Sequence, residues 1–259
     1  MDRFLRHFQV YRYDTTLHAR QYLQGLMQCG DRKNMERMEE VVADTDYQAL
    51  QQFISDAPWD ANDVMDETAL RASELIGDLK DACLIIDETS FTKKGKKSVG
   101  VARQYLGCEG KVDNGQVGVF TALCKDSRVA LLHGQVYLPQ EWTQDRARCC
   151  AAKIPVEERH FRTKDMLALE QVRRARNLGV KFGWVLADAG YGKGPDFLFA
   201  LEDMKERFLV DVHKGGGLLW PRQASHPLKS RNWLEKCPKV PVRKSHCGLP
   251  PKGQSSTAV

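Results

Sequence analysis

The chain contains no run of about 18 apolar residues, the length that a membrane-crossing helix needs. Its opening nine residues (MDRFLRHFQ) also lack the apolar centre of a secretion signal. These absences predict a cytoplasmic protein with no membrane partner. A CxxC pair is missing too, although there are 8 cysteines: Cys29, Cys83, Cys108, Cys124, Cys149, Cys150, Cys237 and Cys247. Scattered through a chain that reads as intracellular, most of them are expected to be small buried hydrophobes rather than a disulfide framework. Cys237, His246 and Cys247 approach half a zinc site, but their spacing matches no standard finger and no second half follows.

Several nucleotide and phosphate signatures stop short. Gly190-x-Gly192-x-Gly194 follows an apolar run but is not G-x-G-x-x-G, and no acidic ribose partner follows it. Gly95-Lys96-Lys97-Ser98 echoes the end of a P-loop without the leading glycine. An Asp-x-Asp phosphatase would need a second aspartate where Thr89 stands.

Charge is unevenly spread. Residues 1–80 carry 9 Lys/Arg against 15 Asp/Glu, leaving 39 − 9 = 30 against 34 − 15 = 19 for the rest. Residues 213–259 hold 9 Lys/Arg and a single acid, Glu235. With Gly215-Gly216-Gly217 and repeated prolines, that tail reads as basic and loop-like, either facing an anion or disordered.

The periodicity sorts the rest. Within residues 1–32, Tyr11, Tyr13, Tyr22, Leu23 and Leu26 suit a packed helix. Asn34 can cap a helix through Met35, Met38, Val41 and Val42, and Asp44 or Asp46 can cap another through Leu50, Phe53 and Ile54. A third helix is predicted over 63–79. Methionine stripes of this kind usually face a core, with a partner-binding face as the rarer use. Residues 98–107 and 116–124 read as strands, and 128–138 as a strand pair, antiparallel because consecutive short strands cannot easily be joined in parallel. Thr163 can cap a helix that stops at Gly179, a strand follows over 182–188, Pro195 opens a further helix, and 207–212 gives a last strand. Trp142 can either stack on a base or be buried, the commoner fate.

The chemistry concentrates in residues 82–105 (ACLIIDETSFTKKGKKSVGVARQY). Cys83–Ile86 is an apolar run short enough and β-branched enough for a strand buried on both faces, which places Asp87 at its C-terminal end, where α/β sheets present ligands. Alternatively, Asp87 opens an ordinary Asp-Glu-Thr-Ser turn. A second apolar run of the same design, FGWVLAD, ends at Asp188. Two carboxylates converging from neighbouring strands would hold hard divalent cations, as in two-metal phosphoryl transfer. Lys93, Lys94, Lys96 and Lys97 follow Asp87 closely, so they are either a solvated hairpin tip or a DNA-backbone contact, with Arg103 and Lys193 near the same edge.

LIIDETSFTKKGKKSVGVARQYLG, GQVGVFTALC, YLPQEWTQD and WVLADAGYG, in this order, resemble the DDE-type transposases of bacterial insertion sequences, DDE superfamily endonucleases, over about residue 33 to the end. The resemblance implies an α/β fold with a ribonuclease-H-like mixed sheet flanked by helices, divided into an N-terminal helical region (1–80), a catalytic core (81–212) and the basic tail (213–259). It implies Asp87 and Asp188 as catalytic and metal-binding residues, Mg²⁺ or Mn²⁺ as cofactor, DNA as the partner in transposition and recombination, a homodimer as candidate assembly, and a bacterial, nucleoid-associated location. The family's third carboxylate, a glutamate on a later helix, has no counterpart at the expected spacing. Glu202 and Glu206, read as helical, come too early, so a C-terminally truncated and poorly active copy is expected. Two other readings stay open: a catalytically inactive DNA-binding fragment and a non-enzymatic interaction protein.

Overall fold

The computed structural model describes residues 2–30 and 33–211. The tail 213–259, the end of the last predicted strand at Val212, and the Cys237, His246 and Cys247 group lie outside the described residues.

The chain opens with α1 (Asp2–Leu5) and a small hairpin, β1 (Gln9–Val10) with β2 (Tyr13–Asp14). Tyr11 and Tyr13 are therefore not helical. Tyr11 takes φ 53° at the hairpin turn, which no right-handed helix accommodates, and both rings are exposed. Helices α2 (Thr16–Gln28), α3 (Met35–Val41), α4 (Tyr47–Ser55) and α5 (Ala61–Ile76) follow. Asn34 caps α3 by accepting from the Arg37 amide at 3.0 Å, and Asp46 caps α4 by accepting from the Ala49 amide at 2.7 Å. Asp60 caps α5, so this helix begins before Asp63, and it stops at Gly77 rather than running to residue 79. Met38 and Leu50 are buried together with Cys29, and Phe8, Ala19 and Phe53 form a neighbouring cluster. The methionine stripe is thus core.

The sheet is built from β3 (Cys83–Thr92), β4 (Ala102–Leu106), β5 (Lys111–Lys125), β6 (Arg128–Val136), β7 (Trp184–Ala187) and β8 (Phe208–Val210). Its order is β4-β5-β3-β7-β8, with β6 also on β5. β3 runs antiparallel to β5 and parallel to β7, and β7 runs parallel to β8. This is the mixed sheet of a ribonuclease-H-like fold. Residues 128–136 form one bulged strand instead of a strand pair, because every residue from Arg128 to Val136 except the bulged Leu132 finds a partner on β5.

Between β6 and β8 lie α6 (Gln140–Gln144), α7 (Arg146–Ala151), α8 (Lys164–Asn177) and α9 (Pro195–Asp203). Thr163 caps α8, and Gly179 at φ +80° supplies the left-handed residue that ends the helical path. Helices α5, α8 and α9 cover one sheet face. Leu84 and Ile86 of β3, Val119 and Leu123 of β5 and Val185 of β7 meet Ala69, Ala72, Leu167, Val172 and Leu201 there. Each fully buried Leu, Ile or Val among them contributes roughly 1.5–3 kcal/mol. Because α5 packs into this core, the last helix of the expected N-terminal region shares its burial with the sheet. On the opposite face Ile85 and Leu186 are half-buried, and Leu131 and Leu209 are exposed. Trp142 is fully buried, donates from Nε1 to the Val101 carbonyl at 2.9 Å and carries the Arg148 guanidinium 3.7 Å above its ring. It has no face left for a base. Among the six described cysteines, Cys29, Cys124 and Cys149 are buried, whereas Cys108 and Cys150 are exposed.

Candidate metal-binding active site

Asp87 does not end its strand. Residues Glu88 to Thr92 continue β3, paired with Val119 to Gly115 of β5, so the Asp-Glu-Thr-Ser segment is neither a strand terminus nor a turn. What ends at Asp87 is the pairing on the other side. The parallel register with β7 closes at Ile86↔Ala187, and the next residues on the two strands are Asp87 and Asp188. Parallel neighbours lie about 4.8 Å apart and register partners share a face, so the two carboxylates stand side by side where β7 turns away.

Both side chains reach solvent, yet their geometry is constrained. The Glu88 amide donates to Asp87 Oδ1 at 2.7 Å, and the Gly190 amide donates to Asp188 Oδ1 at 2.9 Å. Gly190 and Gly192, after Asp188, serve packing. A Cβ on Gly190 would stand 2.9 Å from Asp188 Oδ1, and one on Gly192 would stand 2.3 Å from the Asp211 carbonyl oxygen, closer than atoms can pack. Crowding by the surrounding protein pushes the Asp87 carboxyl above its usual range, the Glu88 amide opposes this, and the charge of Asp188 adds to the rise. Two like charges held together without a cation between them are an arrangement that a hard divalent ion would relieve, and two carboxylates are enough to hold Mg²⁺-type ions when waters and phosphates complete the shell. The residues present therefore fit one such ion.

A third ligand is another matter. Among the described residues, no group of three His, Cys, Asp or Glu side chains is placed to hold a metal. Glu206 is not helical, since α9 ends at Asp203. Its carboxylate is buried in a two-bond pair with the Arg176 guanidinium, both contacts at 2.7 Å, which leaves it no role at the metal.

The predicted cations separate into two groups. Lys193 lies in a short 3-10 turn (Tyr191–Lys193) directly after Asp188. Lys93, Lys94, Lys96 and Lys97 lie beyond the far end of β3, five residues past Asp87, or about 17 Å along the strand. They are not beside the carboxylates, because pairing with β5 extends β3. Arg103 joins the lysines there: its register partner Asn114 donates to the carbonyls of Lys93 at 2.5 Å and Gly95 at 3.0 Å.

Sequence reasoning passed over the groups behind the aspartates. Glu88, on the opposite face from Asp87, pairs with Lys164 at the start of α8. Burial, with Glu88 nearby, pushes the Asp165 carboxyl up. Tyr191 is buried against Phe197, ring centroids 5.2 Å apart, with a hydroxyl that has no partner. Burial raises its phenol far above the usual range, and Glu88, Asp188, Asp165 and Asp87 add to the shift. The tyrosine of D-A-G-Y-G was visible in the sequence. Its surroundings were not, because they come from β3, α8 and α9.

The described residues contain no helix long and apolar enough to cross a membrane. A family model described as DDE superfamily endonuclease matches residues 3–234. The chain is also similar to the probable transposase for insertion sequence element IS701 of Microchaete diplosiphon, 30% identical over 231 residues, covering 87% of this chain and 54% of that protein. The chain thus spans about half the length of the curated relative it matches. Endonucleases of this superfamily generally use divalent metal ions. With the match running over nearly all of its length and a ribonuclease-H-like sheet that sets two aspartates side by side, this chain belongs to the DDE superfamily of endonucleases.

Proposed function

We propose that this chain provides the catalytic core of an insertion-sequence transposase, with Mg²⁺ or Mn²⁺ held between Asp87 and Asp188 and DNA as substrate. The observation that carries the reading is the adjacent placement of these two aspartates where β3 and β7 part, with Asp87 destabilised as an anion chiefly by burial and further by the charge of Asp188. Similarity to the IS701 transposase, over most of this chain, supports it. In this reading residues 81–212 form the catalytic part behind the helical region 1–80.

A divalent ion held by Asp87 and Asp188 would supply charge stabilisation at a phosphate oxygen and activation of the attacking group. The protein's part is orientation. One oxygen of each aspartate is tied to a backbone amide, so neither carboxylate has to reorganise when the substrate arrives. In this reading Lys193, in the turn that follows Asp188, contacts the phosphate nearest the ion. Lys93, Lys94, Lys96, Lys97 and Arg103 sit about five nucleotides further along a strand rising about 3.4 Å per nucleotide, where they bind backbone without reading sequence.

A second reading, DNA binding without cleavage, is favoured by the absence of a three-ligand group among the described residues. Nicking of supercoiled plasmid with Mn²⁺ separates the two when the chain is compared with Asp87→Ala and Asp188→Ala. Metal-dependent nicking lost in both variants supports the transposase core, whereas DNA binding with no nicking in any of them supports the second reading. Replacing Lys93, Lys94, Lys96 and Lys97 by Gln lowers the slope of log affinity against log salt by about 0.9 per lost phosphate contact. An unchanged slope removes those lysines from the interface.

A further inference from the structure

Asp87 stands on the sheet face opposite α5, α8 and α9, and that face continues past the carboxylates. Side chains alternate along β3, so Asp87, Thr89 and Phe91 form one solvent-facing row. The β3–β5 ladder pairs Phe91 with Gln116, and the β4–β5 ladder pairs Arg103 with Asn114 and Tyr105 with Val112. Register partners share a face, as do residues two and four apart along β5. Phe91, Arg103 and Tyr105 therefore lie on the face of Asp87. Phe91 is 52% exposed and Tyr105 is 60% exposed. A lone exposed ring needs no explanation, but here two share a face with a group of cations.

The rings stay bare because the hairpin makes its contacts on the other side. There the Cys108 amide donates to Ser90 Oγ at 3.2 Å, Thr92 Oγ1 donates to Glu109 Oε1 at 3.1 Å, and Leu106 is fully buried. The cations are tied beside Phe91. Its partner Gln116 donates to the Val99 carbonyl at 2.5 Å, and Asn114 donates to the carbonyls of Lys93 and Gly95, which holds the lysine segment 93–97 against this face. Asp113, whose charge Arg103 feels, is already paired with Lys111 at 2.9 Å. Nearer the aspartates, Phe120 is the register partner of Asp87. Its ring fills the space that side chains at Gly118 and Gly134 would need, since a Cβ there would stand 2.6 Å and 2.3 Å from it.

We propose that this face is a stacking platform for unpaired bases of a DNA strand, with Phe91 and Tyr105 as the stacking rings and Arg103 and the lysine segment on the phosphates. The inference rests on DNA being the substrate and adds that the strand leaving the ion on this side is single. Every base offers a π face, so stacking tolerates any sequence, whereas in a duplex neighbouring bases cover those faces. Phe91 is four residues from Asp87, about 14 Å along β3, which places its base about four nucleotides from the ion. Charge selects a polyanion over a second copy of the chain, whose matching face would bring like cations together.

The test is equilibrium binding of the full chain, without metal, to dT15 and to a duplex of the same length over a series of salt concentrations. Phe91→Leu and Tyr105→Leu remove a ring and keep an apolar side chain. Each is expected to weaken dT15 binding at least about fivefold, to leave duplex binding within about twofold, and to leave the salt slope unchanged, because stacking is lost and phosphate contacts are not. Phe91→Tyr and Tyr105→Phe keep a ring and should keep the affinity. Melting temperatures verify folding, and should a variant fail to fold, ultraviolet cross-linking of dT15 to the unaltered chain is expected at Phe91 and Tyr105. Equal losses for both DNA forms, undiminished dT15 binding in both Leu variants, cross-links confined to other residues, or self-association that the Leu variants abolish overturns the platform and leaves DNA as the substrate. No binding of either DNA form by the unaltered chain overturns both.

Discussion

Two carboxylate centres in this molecule are built on opposite principles. At Asp66 the acid is matched: although burial alone would raise it, Arg174 and His133 hold its carboxyl below the usual range by hydrogen bonds and charge. At Asp87 the acid is mismatched, pushed up by crowding and by a second aspartate, with the Glu88 amide as its only described donor. The first arrangement joins α5, β6 and α8. The second crowds a carboxyl against a like charge where β7 leaves β3, which costs stability and creates affinity for a cation. A structural carboxylate is thus recognised by its partners, and a functional one by its unsatisfied charge.

The sharpest way to break that contrast is catalytic. Asp87→Ala and Asp188→Ala are expected to reduce any Mn²⁺-dependent plasmid nicking to the metal-free level, a loss of at least about 10²-fold where nicking is measurable. Their unfolding free energy should stay level or rise. A large drop in stability from either variant would place these acids with Asp66 among the structural ones.

Asp66→Ala should do the reverse. Removing it strands a buried imidazole and the Arg174 guanidinium, and with Asp66 partly exposed the cost expected from urea denaturation is about 2 kcal/mol, below the range for fully buried pairs. A change of a few tenths would show the centre to be a surface pair.

Metal should read out the contrast without any reaction. At ten times its dissociation constant, Mg²⁺ or Mn²⁺ is expected to add about 1.4 kcal/mol to stability, and Asp87→Ala should erase the gain while Asp66→Asn keeps it. Equal stabilisation of wild type and Asp87→Ala would put the ion elsewhere.

The smallest effect is pH. Burial, reinforced by Arg174 and opposed by Asp66, pushes His133 below its ordinary value of 6.5. The unfolded chain therefore binds a proton that the folded one refuses, and His133 lowers stability as pH falls below 6.5. Between pH 6.5 and 5.5 the loss should be under about 1 kcal/mol, and His133→Gln should flatten it. An identical slope in that variant would assign the pH dependence to other groups.

Local chemistry determined much of this architecture. Asn34, Asp46 and Thr163 marked helix starts because a cap is a contact over three residues, and the apolar runs before Asp87 and Asp188 marked two strands, although only the face of Leu84, Ile86 and Val185 is fully buried and the opposite face, with Ile85 and Leu186, is half-buried rather than covered as expected. The pair of aspartates was legible for the same reason. Only the tertiary structure decided how far β3 runs, since Glu88 to Thr92 are held by β5, and with that length it decided that Lys93 to Lys97 stand far from the carboxylates. It also decided that Glu206 belongs to Arg176, 30 residues earlier, and that Asp66 belongs to His133 and Arg174, 67 and 108 residues later. Contacts at such separations leave no periodicity or spacing in the chain. They come into being when strands and helices pack.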